Sequence, residues 1–167
     1  MTRLGSLRRW SAAVLVPLAA AGALVLGPRV GEAQGRSDIA EHRALFPVCA
    51  GGPRVTCVVD GDTIWLAGAK IRIADIDTPE VSRPSCPREA ALGRRATERL
   101  RQLLNAGPFT LHPPPGGRLR DRYGRELRLV QRGGESLGEV LVKEGLAVRW
   151  GGPRARWCGA EGGVRGV

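Results

Sequence analysis

From Arg54 onward, apolar and polar positions alternate along the chain. Val55, Cys57 and Val59 alternate with Thr56 and Val58, Ile64 and Leu66 with Thr63 and Trp65, and Ile71 and Ile73 with Lys70 and Arg72. A period of two sends successive side chains to opposite faces, so these stretches are expected to be strands with one buried face. Ala67-Gly68-Ala69 is a short turn that makes 63–66 and 70–74 a hairpin, entered through the turn Asp60-Gly61. Pro79, Pro84 and Pro87 then break the pattern, and the period changes. Leu92, Ala96, Leu100, Leu103 and Leu104 share one face of a helix from Glu89 to Asn105, closed by Ala106-Gly107-Pro108. Phe109-Thr110-Leu111 is a short strand, Pro113 to Gly117 a loop, and Glu126 to Gln131 a further strand. Ser136 caps a second helix that runs to about Glu144, with Gly145 at its end. The order β-β-β-α-β-β-α with short strands predicts an α+β, mainly β domain: a five-stranded OB-type Greek-key barrel with two or three helices.

The first 33 residues carry a different pattern. Arg3, Arg8 and Arg9 precede an apolar run from Trp10 to Leu26, and Gly31-Glu32-Ala33 offers small residues where a signal peptidase reads. Residues 1–33 are expected to be a signal peptide or an uncleaved anchor, and 34–53 a linker. The domain is expected over 54–150 and a Gly- and Arg-rich tail over 151–167. Either fate of the N-terminus puts the domain outside the cytoplasm, secreted or periplasmic if the segment is cleaved and membrane-anchored if it is kept.

Charge adds a class of partner. The chain has 26 basic and 16 acidic residues, a formal +10. Without Arg3, Arg8, Arg9, Arg29 and Glu32 the balance is 22 against 15, still +7, so the excess belongs to the domain. Such an excess favours polyanions such as nucleic acid. The arginine face of the first helix (Arg94, Arg95, Arg99, Arg101) is either solvated or a further contact to that polyanion. Cys49, Cys57, Cys86 and Cys158 form no C-x-x-C pair, which argues against zinc. In an exported chain they are disulfide candidates. Three pairings are possible; Cys49 with Cys57 makes a short local bridge and leaves Cys86 for Cys158. His42 and His112, the only histidines, have no plausible partner beside them, so histidine-dependent hydrolysis is not expected.

Against this basic background, residues 60–80 hold five of the 16 acidic residues: Asp60, Asp62, Asp75, Asp77 and Glu80. Asp60 and Asp62, and Asp75 and Asp77, are two apart, and in extended chain such pairs point to one side. One pair enters the hairpin and the other leaves it, so they are expected to converge. Converging carboxylates repel unless a cation sits among them, and Arg72 alone neutralises one charge. An all-oxygen donor set suits calcium first and magnesium next. The spacing does not fit an EF-hand, because Ile64 and Leu66 stand where oxygen ligands would be needed. A second constellation, Asp121-Arg122-Tyr123-Gly124-Arg125, puts two arginines beside the single tyrosine, a combination suited to gripping phosphate and stacking on a base or sugar.

Asp-Gly-Asp-Thr at 60–63, an arginine in the next strand, Asp-Thr-Pro-Glu at 77–80, Tyr-Gly-Arg at 123–125 and the later "LVKEGLA" occur in one order. In this the chain resembles the staphylococcal nuclease (thermonuclease) family over residues 54–150. The resemblance implies an OB barrel with helices and a calcium-dependent hydrolase of phosphodiester bonds in DNA and/or RNA, leaving 3′-phosphate and 5′-hydroxyl ends. It implies that Asp62, Asp77 and the Thr78 carbonyl hold the metal, that Glu80 handles the attacking water, and that Arg72 and Arg125 hold the phosphate. Asp60 would support the metal ligands, and Tyr123 with Arg122 would meet the nucleic acid. A monomer with no protein partner is expected. The chain departs from the family pattern in carrying Cys86 after Glu80, three prolines before Arg125, and Trp150 near the place of a second aromatic. The competing expectation is a non-catalytic OB module that binds nucleic acid; the joint presence of Asp62, Arg72, Asp77, Glu80 and Arg125 favours catalysis.

Overall fold

The structure, a computed structural model, describes residues 40–153 and 155–159. The expected signal or anchor segment and the end of the tail lie outside the described residues. The elements are β1 (Glu41–His42), β2 (Cys57–Val58), β3 (Thr63–Leu66), β4 (Ala69–Ile73), β5 (Ile76–Asp77), α1 (Pro87–Asn105), β6 (Phe109–His112), β7 (Glu126–Arg132), β8 (Glu135–Ser136), α2 (Leu137–Lys143) and β9 (Val148–Arg149). The main sheet runs β1-β6-β7-β4-β3-β2, with β8 beside β7, and β5 pairs with β9 separately. It is the expected class, mostly strands in an OB-like curled sheet with two helices.

Local chemistry sets the element ends. The hairpin β3–β4 pairs Thr63 with Arg72 and Leu66 with Ala69, and its turn is carried by Ala67 and Gly68, both at positive φ. α1 starts earlier than expected, at Pro87, where proline's missing N–H is harmless. Its N-cap is Cys86, and Glu89 stands in its first turn. Ser136 caps α2 as expected, its Oγ accepting from the backbone N–H groups of Gly138 and Glu139 at 3.0 and 3.4 Å. Gly145 follows α2 in the left-handed region, φ +71°.

The core is built by the inward faces of both period types. Ile64, Ile71, Ile73 and Val130 from the sheet meet Ala96, Leu100 and Leu104 of α1 and Leu137 and Leu141 of α2. β4 and β7 are parallel, with Arg72 opposite Leu127. This contact joins the hairpin to the second half of the chain.

Part of the expected linker belongs to the fold. β1 pairs with β6, and Phe46 is fully buried, 5.8 Å from the ring of Phe109. Asn105 closes this segment by exchanging two hydrogen bonds with the Phe46 backbone, at 2.8 and 3.0 Å. Periodicity did not announce it because a single large side chain points inward while neighbouring Leu45 stays exposed. Conversely, the strand expected from Val55 is shorter, since Val55 faces solvent. The disulfides join Cys49 to Cys57 and Cys86 to Cys158, so the chain at Cys158 returns to the start of α1.

Candidate active site

Asp62 follows the turn at 60–61 and immediately precedes β3, yet is only 4% exposed. A buried carboxylate needs donors, and Asp62 has four. Oδ1 accepts from Thr63 Oγ1 at 2.9 Å and pairs with Arg72 Nη1, while Oδ2 accepts from the Thr78 backbone N–H and hydroxyl at 3.2 and 3.1 Å. Arg72, across the hairpin, donates from its other arm to Asp77 Oδ1 at 2.8 Å and to the Ile76 carbonyl at 3.4 Å. One guanidinium fork therefore bridges Asp62 and Asp77. Pairing of β5 with β9, Asp77 opposite Val148, fixes the second carboxylate.

The pocket remains rich in negative charge. Burial, then repulsion from Asp62, raises the pKa of Asp77 despite Arg72. Burial, then Asp62, Asp77 and Glu89, raises that of Glu80. Asp60 accepts from the Asp62 N–H at 3.2 Å, and burial followed by repulsion from Asp62 pushes its carboxyl up to about 7. Burial alone would lower the pKa of Arg72; Asp62 and then Asp77 outweigh it and raise the value, so the guanidinium stays charged.

Beside this cluster opens a cleft of about 730 Å³, lined by Arg72, Arg125, Arg118, Arg122, Tyr123, Arg149 and Trp150, with Pro114, Pro115, Leu127 and Leu129 as apolar wall. Arg125 reaches it from the position just before β7. Asp121 orients Arg125, accepting from its Nε at 2.6 Å and from its backbone N–H at 3.0 Å. Tyr123 is exposed, with the Arg122 and Arg125 guanidiniums 4.8 and 5.6 Å from its ring centre. Arg122 also donates to the Tyr123 hydroxyl at 2.6 Å.

The structure thus brings together Asp60, Asp62, Arg72, Asp77 and Thr78, sets Glu80 on the adjoining loop, and gives Arg72, Arg122, Tyr123 and Arg125 a common cleft. Asp75 departs from the expected cluster. Ala74-Asp75 form a turn between β4 and β5 rather than extended chain, so the carboxylate swings to Ser136, accepting from its Oγ at 2.5 Å. Its carbonyl receives the Trp150 N–H at 2.8 Å, which fixes the Trp150 backbone beside the site. Trp150 lies with its ring 5.2 Å from the Arg72 guanidinium. On α1, Arg99 is engaged by Glu144 and Arg101 by Glu98.

Three contributors escaped periodicity. Asp121 has no role of its own in the constellation at 121–125 until its carboxylate is seen on Arg125. Trp150 depends on a strand of two residues. Glu89 is buried in the first turn of α1 and accepts from the Ser85 N–H at 2.5 Å and the Glu80 N–H at 3.4 Å. Its signal was present, since Cys86-x-x-Glu89 has the spacing of a cap residue and its helical acid.

A hard cation suits these donors. Asp62, Asp77 and the neighbouring Thr78 offer oxygen only, and the raised carboxyl pKa values of Asp77 and Glu80 register a surplus of negative charge that a divalent ion would relieve. Among the described residues no group of three or more His, Cys, Asp or Glu side chains is gathered around a common point, so backbone oxygen and solvent would complete such a shell.

The family model described as "Staphylococcal nuclease homologue" matches residues 70–154, a stretch that contains Arg72, Asp77, Thr78, Glu80, Tyr123 and Arg125. The chain belongs to the staphylococcal nuclease family. It is 43% identical over 94 residues to "Endonuclease YncB" of Bacillus subtilis (strain 168), a match covering 53% of this chain and 43% of that protein. It is 35% identical over 98 residues to "Thermonuclease" of Staphylococcus hyicus, covering 56% of each. The chain thus spans about half the length of these curated relatives.

Proposed function

We propose that this protein is an exported, calcium-dependent nuclease that hydrolyses phosphodiester bonds of DNA and/or RNA, leaving 3′-phosphate and 5′-hydroxyl ends. The observation that carries the reading is the Arg72 fork between Asp62 and Asp77 at the edge of a cleft that Arg125 also lines. Family membership and relatives named as endonuclease and thermonuclease support it.

Hydrolysis of a phosphodiester builds negative charge on the equatorial phosphoryl oxygens. Arg72 and Arg125 are the donors for that charge. Asp121 takes the Nε and backbone N–H of Arg125, and among the described residues its terminal nitrogens have no hydrogen-bond partner, which leaves them for substrate. Preorganised donors of this kind contribute about 3–4 kcal/mol each to lowering the barrier. Glu80, with its proton affinity raised, takes a proton from the attacking water as oxygen bonds to phosphorus. The bond to the 5′ oxygen breaks, and that oxygen takes up a proton. The Asp62 and Asp77 carboxylates with the Thr78 carbonyl would hold calcium, which when bound supplies Lewis-acid stabilisation of the phosphoryl oxygens. Tyr123, Trp150 and the apolar wall accommodate the sugar and base.

Purified protein incubated with plasmid DNA and with RNA tests this directly. Cleavage with calcium, abolished by chelator and restored by calcium, is the expected result. Cleavage that survives full chelation removes calcium from the reading; binding without cleavage in any metal makes the domain a nucleic-acid-binding module. Mass spectrometry of the mature N-terminus tests export with cleavage before Gln34.

A further inference from the structure

Glu89 lies in the first turn of α1, 6% exposed, nine residues after Glu80 in the chain. Its two carboxylate oxygens take different donors: Oε2 the Ser85 N–H at 2.5 Å, Oε1 the Glu80 N–H at 3.4 Å. A first-turn acid that serves its own helix satisfies the N–H groups at the helix entrance. The bond to Ser85 does that. The bond to Glu80 does not, for it reaches back across an irregular loop, broken by Pro84, to the residue that carries the reacting carboxylate. The loop has no strand or helix of its own, so Glu89 holds it at both ends. A second observation points the same way. The helix backbone at Gly93 approaches the loop so closely that a Cβ there would stand 2.7 Å from the Pro79 carbonyl oxygen and 2.9 Å from that of Glu80. The tail covers the carboxylate from the other side: Ser85, Glu89, Trp157 and Cys158 wall one depression, and the Cys86–Cys158 bond keeps the tail there.

We propose that Glu89 is a positioning residue for hydrolysis, acting through Glu80 by clamping both ends of the loop 80–85 onto α1. The inference rests on the nuclease reading for its catalytic consequence, though not for the clamp itself. Glu89 touches neither substrate nor metal ligands in this role. What it sets is where the Glu80 carboxylate stands relative to the phosphate, and a displacement of about 1 Å is enough to lower a rate by orders of magnitude.

The test compares full-length wild type, Glu89→Ala and Glu89→Gln, with kcat and KM measured on one oligonucleotide at saturating calcium. Amide hydrogen exchange at Glu80, Ser85 and Val130 is followed in parallel. The glutamine keeps one acceptor oxygen, enough for one of the two amides, and turns a donor NH2 towards the other. Glu89→Ala is expected to lower kcat by about tenfold or more at little-changed KM, and Glu89→Gln to lose less, since it still holds one end of the loop. Exchange should accelerate at both Glu80 and Ser85 in the alanine variant and at one of them in the glutamine variant, with buried Val130 unchanged. Wild-type kcat in Glu89→Ala, equal losses in both variants, or unaltered exchange at both loop amides would each overturn the proposal. If Glu89→Ala does not fold, faster exchange at one or both loop amides in Glu89→Gln with a lowered kcat supports the clamp, and unaltered exchange at both overturns it. If the wild type cleaves no nucleic acid, the nuclease reading and the catalytic role fall together, while exchange still decides whether the clamp exists.

Discussion

Gly93 of α1 and Glu80 of the acidic loop are in backbone contact: a Cβ on Gly93 would lie 2.9 Å from the Glu80 carbonyl oxygen. Backbone cannot rotate out of the way as a flexible side chain can, so any larger residue moves the loop or the helix. Gly93→Ala is therefore expected to destabilise the fold by about 1–3 kcal/mol and to lower kcat beyond what the unfolded fraction explains. Urea denaturation alongside kcat at a temperature well below the transition separates the two effects. An unchanged midpoint and kcat would show that the contact relaxes freely.

Arg72 carries two ion pairs on one planar fork, and that geometry is specific to guanidinium. Arg72→Lys retains the charge but holds one carboxylate at a time. It is expected to lose nearly as much activity as Arg72→Ala, for which turnover should fall at least about a hundredfold. Glu80→Ala should fall by a similar factor with its fold intact. Circular dichroism and single-turnover kinetics check both; wild-type turnover in any of these variants would refute the role assigned.

Asp60 makes stability depend on pH in a direction opposite to the usual paired carboxylate. Its folded pKa lies near 7 against 3.8 as the ordinary value, from burial and then Asp62. Below the lower value Asp60 is protonated in both states and has no effect. Between the two values the folded state binds a proton that the unfolded state does not, so stability falls as pH rises. Above about 7 the whole loss is present. In chelator, Asp60→Asn is expected to gain on wild type as the buffer moves from about pH 4 to about pH 8. Urea midpoints across that range measure it; a constant difference would mean that Asp60 titrates normally.

The two disulfides should contribute unequally. Cys49–Cys57 closes a separation of 8 residues and Cys86–Cys158 one of 72, and the longer loop restrains the unfolded chain more. Cys158→Ser with Cys86→Ser is expected to cost about 2–4 kcal/mol, more than the matching pair of changes at Cys49 and Cys57. Thermal melts of both double variants compare them. A larger loss from the shorter loop would contradict the entropic argument.

Much of this molecule can be read from its pattern, for identifiable reasons. The hairpin and both helices announce themselves because each buries one whole face: Ile64, Ile71 and Ile73 on the sheet, Leu100 and Leu104 on α1. The acid-rich stretch was legible because its density contradicts the charge of the rest of the chain. Elements of two residues are too short to show a period, which is why β1, β5 and β9 were not visible. Asp75 leaves the acidic cluster for a related reason, since a turn at Ala74-Asp75 reverses the side-chain direction within one residue. The roles of Asp121 and Glu89 depend on where side chains of a turn and a helix end come to rest, and alternation carries no information about that.

The parallel contact between β4 and β7 has a consequence for biosynthesis. Arg72 belongs to the early hairpin, whereas Arg125 enters only with the strand that docks beside it, opposite Ile71 to Ile73. No N-terminal fragment that stops short of Glu126 can assemble both cationic walls of the cleft. On the proposed nuclease reading, a nascent chain carries its acidic half first and acts on no polynucleotide until that docking is complete.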